Sequence, residues 1–180
     1  MTEGPGLLDT GPLISFLGSG LRHHAWTVEQ WKHLHPPLLT CEPVLTEAAF
    51  LLKREGLDAD ALFALLERGV IRIALAVQNE QSDLRALMRR YRNRPMSLAD
   101  ACLVRLSEIH AAGEVFTLDS DFRIYRKHGN KVIPVLMPFV KTPNALLPID
   151  SSNMLVIRDY SANVRRMLQM LQELEKNSRP

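Results

Sequence analysis

Cysteine is scarce in this chain. Cys41 and Cys102 are its only two, each in an apolar context. No CxxC pair exists from which a thiolate zinc site could be built. The first residues carry no charged start before an apolar run, so no secretory signal is expected. No apolar stretch approaches the roughly 18 residues of a membrane span. Together these absences lead to the expectation of a cytoplasmic protein with reduced thiols and no membrane partner. There is no Gly-rich phosphate loop, which leaves P-loop nucleotide chemistry unsupported. The histidines His23, His24, His33, His35, His110 and His128 show no pairing that suggests a two-histidine ribonuclease. Excess charge of one sign is also missing: 22 Lys and Arg oppose 20 Asp and Glu, for a net charge of +2. The total therefore implies no polyanionic partner, and only the distribution of charge can do so.

What is present is an ordinary globular composition, 46% hydrophobic and 23% charged over 180 residues. That length suits one domain with an appendage. Leu7-Leu8 closes an apolar run short enough for a buried strand, which stops at Asp9. Gly11-Pro12 then turns the chain into a helical pattern over Leu13–Leu17, closed by Gly18 and Gly20. A helix is expected from His23 to His35, a strand over Leu38–Cys41, and a helix from Pro43 to Gly56 with Val44, Leu45, Ala48, Ala49, Leu51 and Leu52 on its apolar face. Ala61–Arg68 reads as a helix and Val70–Ala76 as a strand. Glu80–Arg92 is a basic amphipathic helix, and Ser97 opens another that Gly113 stops. Glu114–Leu118 is a strand ending at Asp119, and Lys131–Leu136 is a last strand. Strands alternating with helices argue for an α/β fold with a mostly parallel sheet covered on both faces. Pro138, Pro143 and Pro148 mark residues 138 to 150 as a linker, after which Ser161–Lys176 carries a helical stripe of Val164, Met167, Leu168, Leu171 and Leu174.

Open α/β sheets bind ligands outside the carboxyl ends of their strands. Asp9 and Asp119 each follow an apolar strand. Glu47 and Asp100 lie near the starts of helices that begin beside the same edge, and Asp121 follows Asp119 by two residues. Each has an ordinary structural use. Asp9 could cap the next helix, Ser97-Leu98-Ala99-Asp100 resembles a capping box, and Asp119-Ser120-Asp121 could be a self-bonded turn. Glu47 stands among Leu45, Ala48, Ala49 and Phe50, where an unpaired charge is costly if buried. Their joint placement points further. Crowded carboxylates repel and need a compensating cation, and oxygen-only ligands favour Mg²⁺ or Mn²⁺ over zinc. Such a site can activate water and clamp a phosphate oxygen. A haloacid-dehalogenase-like phosphatase would carry a second Asp where Gly11 stands, so that class loses support.

Leu8-Asp9-Thr10-Gly11-Pro12-Leu13, Thr46-Glu47-Ala48-Ala49, Ser97-Leu98-Ala99-Asp100-Ala101 and Thr117-Leu118-Asp119-Ser120-Asp121-Phe122 occur in this order over roughly residues 5 to 136. In these segments the chain resembles the PIN-domain ribonucleases, and more narrowly the VapC-type toxins of bacterial toxin–antitoxin pairs. The resemblance implies a three-layer α/β/α sandwich around a parallel sheet of about five strands, spanning residues 1 to 137. The extension, 138 to 180, would be a linker and a C-terminal helix. It also implies that Asp9, Glu47, Asp100 and Asp119 are catalytic and, with Asp121, hold Mg²⁺ or Mn²⁺, with Thr10 and Thr117 in support. RNA would be the substrate, a cognate antitoxin the inhibitor, and a homodimer the usual assembly. The alternative is a PIN-fold module that binds RNA or protein without cleaving.

Two basic clusters flank these acids. Arg85, Arg89, Arg90, Arg92 and Arg94 precede Asp100, while Arg123, Arg126, Lys127, His128 and Lys131 follow Asp119. A solvated helix face explains most charge runs. A substrate role would fall to Arg90, Arg92, Arg94, Arg123, Arg126 and Lys127 through phosphate contacts. Tyr91 and Tyr125 could stack on unpaired bases, although packing is the commoner use of such residues. The C-terminal stripe would pack on the parent domain or a second copy. A sharper reading places it in the groove that an antitoxin would use.

Overall fold

The computed structural model describes residues 4–138 and the strands Leu146–Ile149 and Met154–Ile157. The chain divides into two compact units, Met1–Met137 and Pro138–Pro180. In the first, β1 (Gly6–Leu8) is followed by α1 (Thr10–Leu17), α2 (His24–Trp31), β2 (Leu38–Cys41), α3 (Glu42–Arg54), α4 (Asp60–Glu67) and β3 (Ile71–Leu75). Then come α5 (Gln81–Arg90), α6 (Leu98–Ile109), β4 (Glu114–Phe116), a 3₁₀ turn (Ser120–Arg123), β5 (Arg126–Lys127), β6 (Lys131–Val132) and β7 (Val135–Leu136). Five strands form one parallel sheet in the order β3-β2-β1-β4-β7. Helices sandwich it in a PIN-like α/β/α arrangement.

The strand order explains where a site can form. From β1 the chain winds outward through β2 to β3, then returns to place β4 on the other side of β1. The connections leave β1 and β4 in opposite directions, the reversal at which open α/β sheets bind ligands outside the strand ends. Leu8 pairs with Phe116 in the β1–β4 register, so Asp9 and Thr117 follow side by side. β1 and β2 are buried along their whole length, as expected for central parallel strands with helices on both faces. The central helix α6 touches β1, β2, β3 and β4. Its buried run, Ala99, Ala101–Val104, Leu106 and Ser107, explains why its sequence shows so little amphipathic contrast. Leu103 and Leu106 are fully buried, and truncating either to Ala costs about 2–5 kcal/mol. Trp26 and Trp31 bring α2 against Phe116 of β4, with ring centroids 5.7 and 5.9 Å apart.

Several boundaries differ from the sequence expectations, each for a local reason. Gly11-Pro12 does not turn the chain away from β1, because α1 starts at Thr10 and includes both residues. Proline fits the first helical turn, where its missing N–H would have no intrahelical partner. Gly11 meets a steric need: a Cβ there would stand 3.1 Å from Leu118 Cβ, so its absence lets α1 sit against the end of β4. The helix expected over His23–His35 stops at Trp31. Gly56 ends α3 with φ of 73°, a conformation glycine adopts without strain. The last strand, expected whole over Lys131–Leu136, is split. Lys131 and Val132 pair with β5, Val135 and Leu136 pair with β4, and Pro134 between them has no N–H to give to either ladder.

In the second unit, β8 (Leu146–Ile149) pairs antiparallel with β9 (Met154–Ile157), Pro148 standing opposite Leu155. The region taken as linker therefore contains a strand. The three prolines drew attention away from the apolar Leu146-Leu147-Pro148-Ile149, and a two-stranded ladder tolerates one missing donor. The helix expected over Ser161–Lys176 lies outside the described residues.

Candidate active site

The site begins with one hydrogen-bonded anchor joining the two central strand ends. Asp9 is 6% exposed, and its amide donates to Phe116 O at 3.0 Å, continuing the β1–β4 ladder by one residue. Its carboxylate accepts from the Thr10 amide at 2.7 Å through Oδ1 and from the Thr117 hydroxyl at 2.5 Å through Oδ2. Thr117 Oγ1 in turn accepts from the Asp119 amide at 2.8 Å, and Asp119 Oδ1 accepts from the Asp121 amide at 3.0 Å. One threonine hydroxyl thus couples two acids separated by 110 positions in the chain. On the other flank, Thr10 Oγ1 donates to Glu47 Oε2 at 3.0 Å.

The structural uses foreseen for these acids are all realised. Asp9 caps α1, Asp119 caps the 3₁₀ turn, and Ser97 with Asp100 forms a reciprocal capping box at the start of α6. There Ser97 N donates to Asp100 Oδ2 at 2.8 Å, and Asp100 N to Ser97 Oγ at 3.1 Å. A cap holds a carboxylate at a helix start, so capping also fixes where its charge stands. Glu47 differs from expectation. It is exposed, and neighbouring Phe50 is 66% exposed, so the apolar residues around Glu47 in sequence do not enclose it. In α3 the core face carries Val44, Ala48 and Leu52, and Glu47, about 100° round the helix from Ala48, flanks that face at its exposed edge.

Electrostatics show that these acids share a common field. Burial pushes Asp9 up from the ordinary 3.8 to about 7. The Thr117 hydroxyl and Thr10 amide oppose that rise, while the charges of Asp100 and Asp119 reinforce it. Asp100 is also raised, chiefly by burial, with Asp119 and Glu47 adding repulsion against the opposing bonds from Ser97. Such a group discharges its repulsion by taking a proton or a cation. All the donors are oxygens, which suits a hard divalent ion in chemistry and charge. Their arrangement is not yet a cage: among the described residues no three His, Cys, Asp or Glu side chains stand together as a ligating set. Asp9 and Asp100 instead spend their oxygens on Thr117, Thr10 and Ser97.

The two basic clusters meet different fates. Arg85, Arg89, Arg90, Arg92 and Arg94 are exposed along and just beyond α5. Arg90 bonds Gly129 O and lies 5.4 Å above the Tyr91 ring. After Asp119 the cations serve the fold. Arg126 Nη1 donates to the carbonyls of Arg123, Ile124 and Tyr125, and Arg123 Nε to Met137 Sδ at 3.0 Å. Lys127 is 7% exposed with its amine on Ala111 O at 2.7 Å, so it does not belong to a substrate surface as expected. Tyr91 and Tyr125 are 9% and 1% exposed, so neither offers a face for base stacking. Tyr125 is nonetheless a residue whose place the sequence reading missed. Burial first, and then Asp100, Asp121 and Asp119, push its phenol upward, which sets it against the acid cluster.

With this geometry in view, comparison with known proteins becomes decisive. The model of the PIN domain matches residues 6–127, most of the first unit and more than half of the chain. The chain belongs to the PIN-domain family. The acid-bearing ends of β1 and β4 and the starts of α3 and α6 all lie inside the matched region. Among solved structures, the chain is similar to VapC20 of Mycobacterium tuberculosis, described as a toxin that cleaves the sarcin-ricin loop. The likeness has a TM-score of 0.57 at 21% identity and covers 64% of this chain and 91% of that one. At that identity it shows the PIN fold itself. No curated protein sequence matches the chain. Among the described residues no helix is long and apolar enough to cross a membrane.

Proposed function

We propose that this PIN domain is a divalent-cation-dependent endoribonuclease, the toxin of a toxin–antitoxin pair. The observation that carries the reading is the anchor at the β1–β4 switch, where Thr117 ties Asp9 to Asp119 within the field of Asp100. Asp9, Glu47, Asp100 and Asp119, with Asp121 in support, would hold Mg²⁺ or Mn²⁺. When bound, such a cation supplies Lewis acidity, activating water and neutralising charge on a phosphate oxygen. Thr117 fixes the direction of the Asp9 carboxylate and holds the backbone of Asp119, whose own carboxylate is turned by the Asp121 amide, and Thr10 bonds Glu47. The exposed Arg92 and Arg94, with Arg85 and Arg89, draw the RNA backbone to this edge by phosphate contacts. A cognate antitoxin and a homodimer complete the assembly, and the cytoplasm is its place of action.

Cleavage of total cellular RNA with and without Mg²⁺, comparing the unaltered chain with Asp9→Asn, tests the reading. Expected products carry 5′-phosphate and 3′-hydroxyl ends, since water rather than the RNA 2′-hydroxyl is the nucleophile. Products with 2′,3′-cyclic phosphate that persist in EDTA would overturn it. The second reading, a PIN-fold module that binds without cleaving, draws on the capping box that occupies Asp100. It requires that no RNA be cut under any divalent ion while RNA or a protein partner still binds.

A further inference from the structure

Tyr125 carries a buried hydroxyl that, among the described residues, has a proton to donate and nothing to receive it. Its ring is clamped edge-on between Tyr91 and Phe122, with centroids 5.1 and 5.5 Å away, and it is 1% exposed. Its backbone amide donates to Asp121 O at 3.1 Å, which ties the ring to the acid-bearing turn. The hydroxyl is buried and finds no hydrogen-bond partner among the described residues. Neighbouring Tyr91 shows the ordinary arrangement, its hydroxyl accepting from the Arg126 amide at 2.9 Å. A buried hydroxyl without a partner forfeits the bonds it made to water, and in native proteins such a group calls for an explanation. Here the surrounding charges suggest one.

The acids that bear on Tyr125 are Asp100 first, then Asp121 and Asp119. Asp119 Oδ1 already accepts from Asp121 N, and Asp100 Oδ2 from Ser97 N. Among the described residues no donor reaches Asp100 Oδ1. Asp100 is only half buried, on a side chain that can turn, whereas Tyr125 is locked between two rings. We propose that Tyr125 is a positioning residue, its buried hydroxyl donating to Asp100 and orienting that carboxylate when the acids gather on a divalent cation. A phenol is ordinarily protonated at neutral pH, so the hydroxyl has a hydrogen to donate there. The ring would thus set the direction of a ligand without touching cation or substrate. Such outer partners of ligating carboxylates fix their orientation and tune affinity. This inference rests on the nuclease reading above, because it takes Asp100 as a ligand.

Tyr125→Phe keeps the ring and removes only the hydroxyl. Calorimetric titration of the full chain with Mn²⁺ is expected to show affinity about tenfold weaker, the effect of losing an outer-shell partner. In cleavage, kcat should fall with KM for RNA unchanged, and the thermal midpoint without metal should not drop, since an unpartnered hydroxyl has been removed. Unchanged Mn²⁺ affinity and kcat would overturn the proposal. The same change made in an Asp100→Asn background should have no further effect on Mn²⁺ affinity. A second, equal loss there would show that Tyr125 acts elsewhere and would also overturn it. If Asp100→Asn alone leaves both Mn²⁺ affinity and cleavage intact, the nuclease reading of the site fails. A silent Tyr125→Phe beside a damaged Asp100→Asn sinks only this inference.

Discussion

The acids fall into two halves that differ in what holds them. Asp9 and Asp119 extend directly from β1 and β4, bound to each other through Thr117, and Asp9 is nearly closed off from water. Glu47 sits in the second turn of α3 and Asp100 in the first turn of α6, at least partly exposed, the one bonded by Thr10 of α1 and the other by its neighbour Ser97. The strand half is rigid because sheet register fixes Asp9, whose ionisation burial opposes. The helix half is adjustable and better solvated. A cation site needs both: a pre-set corner that pulls charge in, and arms that close on it.

Asp9→Asn should produce the largest change, and in opposite directions for activity and stability. Divalent-dependent cleavage is expected to fall on the order of 10³-fold, the several kcal/mol that a Lewis-acid site contributes. Without metal, the variant should be more stable than the unaltered chain at neutral pH. Because the folded pKa of Asp9 lies near 7 against an ordinary 3.8, the native state holds a proton that the unfolded chain has lost between those values. Metal-free stability from this group therefore declines as pH rises from about 4 to 7, at up to about 1.4 kcal/mol per unit, and levels off above. Denaturant titrations across this range should show that slope in the unaltered chain and its loss in Asp9→Asn. A flat profile in both would mean that burial does not oppose the ionisation of Asp9.

Next in size is Thr117→Val, which keeps the shape and removes the donor to Asp9 and the acceptor for the Asp119 amide. We expect a loss of about 1–3 kcal/mol, since buried partners are left unsatisfied. Urea midpoints measured beside Ser97→Ala sharpen the contrast, because the exposed cap should cost only about 1 kcal/mol. Equal losses would erase the distinction between a buried anchor and a helix cap. Thr10→Val, at a buried position but releasing only the exposed Glu47, should cost less than about 1 kcal/mol, the net worth of one hydrogen bond. A loss as large as that of Thr117→Val would show that Glu47 belongs to the rigid half.

The same logic separates the basic residues. Short irregular segments leave carbonyls that need donors, and between Arg123 and Lys127 the cations supply them. Carbonyls within α5 are satisfied along the helix, so Arg85 and Arg89 stay in solvent, and only Arg90 at its end reaches a loop carbonyl, that of Gly129. From the sequence the two runs look alike, because side-chain use depends on what the backbone beside it lacks. Removing Arg92 should weaken RNA binding and lower the salt slope by about 1, whereas Lys127→Ala should lower stability without moving that slope. Filter binding across a salt series measures both.

Much of the fold was legible locally. Apolar runs ending in acids, Pro in a first helical turn and Ser97 three residues ahead of Asp100 are consequences of covalent geometry and nearest-neighbour hydrogen bonding. These features alone determined the order of strands and helices, and that Asp9, Asp100 and Asp119 stand at element boundaries. The boundaries after Phe116 were poorly legible because two-residue strands carry no periodicity to read. Tertiary structure alone decided that Thr117 would bridge Asp9 to Asp119, that Glu47 would face water, that Lys127 would be buried, and that Tyr125 would bury a hydroxyl without a partner among the described residues. Each of those outcomes depends on contacts between distant parts of the chain and on which groups lose water. A residue's own neighbours in sequence do not encode that loss.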